Sequence, residues 1–163
     1  MNDLMTSVIN TLNSTALSSI VMDNGVVFPA LEMLHFLGLC LLFGSLLIVD
    51  LRVVGFAKAI PIQRVDVFIR FAIIGFSINL ISGLLFVVGD SDRYLVNIAF
   101  WGKMGLIIIA GLNTFYFVRR IKPQMDAGVA SVDLKQGAHV VAWLSLVLWT
   151  CVIALGRFIP YVE

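Results

Sequence analysis

The sequence predicts an all-α fold, a four-helix transmembrane bundle preceded by an amphipathic helix at the membrane surface. Three observations predict it. Of the 163 residues, 60% are hydrophobic and only 13% are charged, whereas a soluble domain is about half apolar and about a quarter charged. The apolar residues gather into four runs, each near the ~20 residues that a helix needs to cross ~30 Å of hydrocarbon. The runs also lack the polar–apolar alternation of a barrel strand. Backbone inside lipid must satisfy its own hydrogen bonds, which a helix does within one segment.

In chain order, residues 1–25 form a small element of their own. Leu4, Val8, Leu12, Ala16 and Ile20 recur at helical spacing, with Ser, Thr and Asn on the other face. That pattern predicts one helix lying on the membrane surface. It has no basic opening segment, so it does not resemble a cleavable signal peptide. Asp23-Asn24-Gly25 breaks it. Residues 26–163 then form the bundle, with spans predicted at Val26–Val49, Val67–Gly89, Ile98–Val118 and Ala138–Ile159. No internal repeat or second domain is legible.

The loops set an orientation. Arg52, Lys58 and Arg64 follow the first span, and Arg119, Arg120, Lys122 and Lys135 follow the third. The other side of the bundle carries Arg93 in its loop and no basic residue in the N-terminal tail. By the positive-inside rule both termini face outward, which in a bacterial inner membrane means the periplasm or cell exterior. A formal net charge of +1 gives no footprint for nucleic acid. Cys40 and Cys151 lie in apolar runs without metal or redox spacing, and read as packing residues.

Ionisable residues inside a span are costly and mark functional sites. Converted to depth at ~1.5 Å per residue, Glu32 lies about 6 Å, Lys103 about 7 Å, His35 about 10 Å and Arg157 about 3–5 Å below the outer edge. Asn79, Ser82 and Thr150 fall at about 10–15 Å. All four spans thus feed one outer layer. Glu32 and His35 are three apart and share a helix side. Gly38, Leu42 and Ser45 continue that side, Gly75, Asn79, Ser82 and Gly83 form a stripe on span two, and His139, Trp143, Leu146, Thr150, Ile153 and Arg157 form one on span four. Asn79 and Ser82 are expected to bond between helices. His139 falls near the inner edge, about 15–20 Å from His35 in depth, so the two do not face one iron. Asp50, Arg52, Arg70 and Arg119 are expected to pair there as a ring of charges.

Leu34-His35-Phe36-Leu37-Gly38 through Phe43-Gly44-Ser45, then Asp50-Leu51-Arg52-Val53-Val54-Gly55, resembles an uncharacterised family of small four-helix bacterial membrane proteins. Phe100-Trp101-Gly102-Lys103 and Leu148-Trp149 through Gly156-Arg157 carry the same resemblance. More distantly, the early histidine with a lysine opening span three is similar to the HemJ-type protoporphyrinogen oxidases, and the helix pattern to CopD-type copper-resistance membrane domains. The HemJ resemblance implies a haem-associated pocket around His35 and Lys103.

Four functions compete at this point; the last, carried by the HemJ resemblance alone, is the protoporphyrinogen oxidase reaction itself. One is a b-type haem protein with His35 as iron ligand, in electron transfer or redox chemistry. Glu32 would orient the imidazole, and Lys103 or Arg157 would neutralise propionates. A second is a copper-related protein drawing on the soft ligands Met33, His35, Cys40 and Met104. The third is a non-catalytic subunit or anchor, self-associating or joined to a larger membrane complex through small-residue stripes. Whether any reaction is catalysed is open from sequence alone.

Overall fold

The computed structural model describes residues 3–61, 64–130, 133–134 and 137–162; Lys135, counted above among the basic loop residues, lies outside them. The chain is all-α, and among the described residues there is no strand. Four helices are long and apolar enough to cross a membrane: Val27–Val54, Val65–Gly89, Ile98–Asp126 and Gly137–Tyr161. These are built from α3 (Val27–Val54), α4 (Val65–Gly89), α6 (Ile98–Tyr116) with its continuation, and α8 (Gly137–Phe158).

Two spans run further than their apolar runs. α3 continues a turn past Val49 because Val49 and Val53 are buried against Val65, Phe117 and Ile121. It ends at Gly55, whose φ of 96° is open to glycine and whose N–H caps Leu51 O. α6 runs on through a π-helical turn, Phe117–Ile121, into α7 (Lys122–Asp126). Phe117, Ile121 and Met125 supply its buried side. Lys122 holds that extension to α4, with its Nζ 2.7 Å from Asp66 and 2.7 Å from Asp126.

By close backbone approach the spans form a row, with side chains of α4 reaching the farther spans: Val65 packs with Phe117 and Ile121, and the Phe76 ring stands 6.5 Å from that of Trp149. α4 lies against α3, α3 against α8 and α8 against α6, while α4 and α6 share no extended contact. The α3–α4 contact is the most intimate. A Cβ on Gly75 would stand 2.5 Å from Leu42 N and 2.7 Å from Gly38 O, and one on Gly38 would stand 2.7 Å from both Ile78 Cγ2 and Asn79 Nδ2. Small residues let the two backbones meet directly, the main route to association where lipid removes the hydrophobic drive. Between α6 and α8, Asn113 Nδ2 donates to Val141 O at 3.1 Å.

The N-terminal segment differs from the expected single surface helix. It is a pair, α1 (Asp3–Asn13) and α2 (Ala16–Asp23), broken at Ser14–Thr15 because Thr15 caps the second helix by accepting from Ser18 N. The pair packs on protein as well as presenting exposed apolar side chains. Ile9 and Val21 are buried, Ser18 Oγ donates to Gly89 O, and Asn13 bonds Ser91 and Asp92. Together with α5 (Ser91–Leu95) it covers one end of the row, here the capped end. Asn97 binds the C-terminus to that end, donating to Ile159 O and Val162 O while its Oδ1 caps α6.

Gly75→Ala should cost about 1–3 kcal/mol, the usual range for forcing extra volume into a packed contact. Gly44→Ala, where an added Cβ meets nothing within 4 Å, should be near neutral. Unfolding by denaturing detergent in mixed micelles, followed by circular dichroism, compares the two; equal stability would contradict the backbone contact.

Candidate functional site

His35 lies eight residues into α3, about 12 Å from its start at the capped end. It is half-buried, and its ring is held from two sides. Phe86 of α4 stands against it at 5.4 Å between ring centroids. Ser82, fully buried one turn earlier on α4, places its Oγ 2.8 Å from His35 Nδ1. The imidazole edge lies over Gly83, where an added Cβ would make an ordinary van der Waals contact, 3.7 Å from His35 Cε1.

Donor accounting favours one tautomer. With the Ser82 hydroxyl donating to Ile78 O, 2.6 Å away, Ser82 Oγ is left to accept from His35 Nδ1–H. A neutral imidazole protonated at Nδ1 keeps its lone pair on Nε2. Nε2 makes no hydrogen bond among the described residues. This is the arrangement of a histidine whose ring is fixed at one nitrogen and offered as a ligand or base at the other.

Lys103, on the second turn of α6, lies close enough for its charge to act on His35. Its side chain runs along Gly156 of α8, where an added Cβ would stand 3.2 Å from Nζ and 3.5 Å from Cε. Lys103 is therefore tucked against the neighbouring helix rather than extended outward. An aromatic series bridges the same end. Phe28 meets Phe86 at 5.6 Å, Phe86 stacks on Tyr94 at 6.3 Å, Tyr94 meets Phe100 at 5.8 Å, and Phe100 meets Trp101 at 5.6 Å. This carries side-chain contact from α3 and α4 through α5 to α6. Burial pushes the Tyr94 phenol above its ordinary pKa, with Arg93, Asp90 and Glu32 acting on it as well.

Of the four site residues expected from sequence, Lys103 is the one whose charge acts on His35. Glu32 is exposed on α3, and the group its charge acts on is Tyr94. Arg157 is exposed and bound to its own C-terminal turn, its guanidinium 2.9 Å from the Tyr161 hydroxyl and 5.1 Å from the ring centre. The expected span-four stripe is corrected. Trp143, Thr150 and Arg157 are exposed, and the inward face of α8 is Ala138, Ala142, Ser145, Leu148, Trp149 and Val152. Polar residues suggested a face that the packing of Ala138, Ala142, Leu148 and Trp149 overrides. Asn79 is likewise corrected: it donates within its own helix, to Gly75 O at 3.0 Å, because Gly38 packs against its amide. Ser82 does bond across helices.

The ring of charges does not form. Arg52 Nε donates to Ile60 O at 2.6 Å, Arg119 lies over the Phe115 ring at 5.0 Å, and Arg70 is exposed. Asp50 is buried away from all three, with Ser145 of α8 as its hydrogen-bond neighbour. His139 sits on the first turn of α8, at the end of the row opposite His35. Cys40, Cys151 and Met33 are exposed, and among the described residues no three His, Cys, Asp or Glu side chains converge on one point. Phe86 and Tyr94 were missed in the sequence; their only signal was helical spacing relative to Ser82 and their place beside the short loop. Two surface grooves, of about 490 Å³ along α1 and about 210 Å³ between the π-helical turn and α8, lie away from His35.

Residues 11–162 match the family of unknown function DUF6644, and the chain belongs to that family. Comparison with curated proteins and with solved structures gave no match.

Nitrogen NMR of histidine-labelled protein in detergent should find His35 protonated at Nδ1 and bare at Nε2. Ser82→Ala should release that preference and mix the tautomers. A wild-type imidazole protonated at Nε2 alone would contradict the donor accounting.

Proposed function

We propose that this member of the family is a small membrane protein that holds b-type haem at its capped end through His35, in an electron-transfer or redox role. The observation that carries the reading is the anchored imidazole: Nδ1 is tied to a buried serine and Nε2 is left with its lone pair. Haem iron takes such a nitrogen, and the hydrogen bond on the other nitrogen sets both ring orientation and basicity. Lys103 supplies a cation at the same depth, suited to a propionate. The Phe86 and Tyr94 rings give the flat apolar contact that a porphyrin needs. With both termini outward, this site opens toward the periplasmic or exterior side.

A second reading is a non-catalytic subunit, and one observation favours it. α4 and α6 make no extended backbone contact, and both carry exposed apolar side chains, among them Ile73, Ile81, Ile108 and Leu112, open to another copy or another membrane chain. Copper would require ligands beyond His35, and Met104, half-buried one residue after Lys103, is the soft side chain nearest that layer in sequence.

Protein made with ample haem and purified in mild detergent should show a Soret band that His35→Ala abolishes. Lys103→Ala should retain the band with weaker haem retention, on the order of tenfold for one lost charge-assisted contact. A colourless wild type, or a band untouched by His35→Ala, would overturn the haem reading and leave the subunit reading.

A further inference from the structure

A second polar group lies in the opposite half of the row and takes no part in the His35 layer. Asp50 is 4% exposed, one turn from the end of α3. Its carboxyl faces Ser145 of α8, and its Oδ2 has no hydrogen-bond partner. Trp149 follows Ser145 by four residues on the same face of α8, is 5% exposed, and its Nε1 also has no partner. Leu46, four residues before Asp50, packs in the same core as Trp149. Since α3 and α8 run in opposite directions, Asp50 stands opposite Ser145, and the unpaired acceptor and donor are about one turn, ~6 Å, apart along the bundle.

A buried polar atom without a partner costs about 1–3 kcal/mol, and a buried unpaired charge costs more. Two such atoms of complementary sense, on facing helices and within one turn, mark a place that binds something small. The surroundings restrict what it is. Neither Asp66 and Arg70 on α4 nor His139 on α8 acts on the Asp50 carboxyl, and Ser145 is the side chain among the described residues that does. Among the described residues no cation acts on the carboxylate, Arg52 donating to Ile60 O instead, and an indole N–H repels a metal ion. A proton meets neither objection.

We propose that Asp50, Ser145 and Trp149 form a proton-binding site in the far half of the bundle, where the Asp50 carboxyl takes up and releases a proton. In the protonated state the acid hydroxyl donates to Ser145 Oγ. On release the proton leaves to water at the nearby end of α3, and the Ser145 hydroxyl turns to donate to the carboxylate. Trp149 N–H then serves Oδ2 through a single water, which accepts from the indole and donates to the oxygen.

The test uses the full chain in detergent and in lipid vesicles, treated with dicyclohexylcarbodiimide, which adds to protonated carboxyls in apolar surroundings. Mass spectrometry should place the adduct on Asp50, with the label falling about tenfold for each pH unit above the midpoint. Ser145→Ala should shift that midpoint while keeping the low-pH adduct. The infrared carbonyl band of a protonated acid should titrate in parallel and vanish in Asp50→Asn. If Asp50→Asn fails to fold, the wild-type adduct and band decide the matter. No adduct and no band at any pH, or a label independent of pH, would overturn the proposal.

Discussion

The close approach of α3 and α4 at Gly38 and Gly75 governs the rest of the site. Apolar side chains gain little from leaving lipid for protein, so helices in a bilayer associate where backbones can touch. Here Gly75 admits the backbone of α3 to within a distance that no side chain would allow. That contact fixes the register of α4 against α3, and the register brings Ser82 and Phe86 to the two sides of one imidazole. The hydrogen bond to His35 follows from packing. It is not a local feature of either helix.

Each end of the row carries a different kind of polar group. The capped end is covered by α1, α2 and α5 and carries an imidazole with a free nitrogen, a lysine and a run of aromatic rings. The far half holds a carboxyl buried against a serine, and beyond it a surface ion pair that ties α7 to α4. An imidazole and a lysine at one end and an acid at the other give the protein two chemistries separated along the membrane normal. The length of α3 keeps them apart, since it carries His35 near its start and Asp50 near its end.

The fold was legible because apolar run length is a direct consequence of bilayer thickness, and so was the candidacy of His35, the one imidazole deep in a span. Lys103 was legible by depth. Less was legible where helix rotation decides the outcome. The polar side of α8 looked like an interior face, yet Thr150 satisfies its hydroxyl on Leu146 O and faces outward. Arg157 is served by Tyr161, which the local C-terminal turn brings back to it. Asp50 sits two residues from Arg52 in sequence and was read with it and the arginines of the same level. Its burial depends on Ser145, almost a hundred residues later, and no local pattern reports such a pairing. The break at Thr15 was written in the sequence as a serine/threonine cap, but apolar spacing ran through it and masked it.

The central claim is that helix packing, through a glycine two turns away, sets the state of the His35 ring. The nitrogen NMR spectrum of His35 in the Gly75→Ala protein tests it most directly. The account predicts that helix content is retained while the Nδ1–H bond to Ser82 is lost, so that both tautomers appear. An imidazole spectrum identical to that of the unaltered protein, in a variant whose α3–α4 contact has been forced apart, would contradict it.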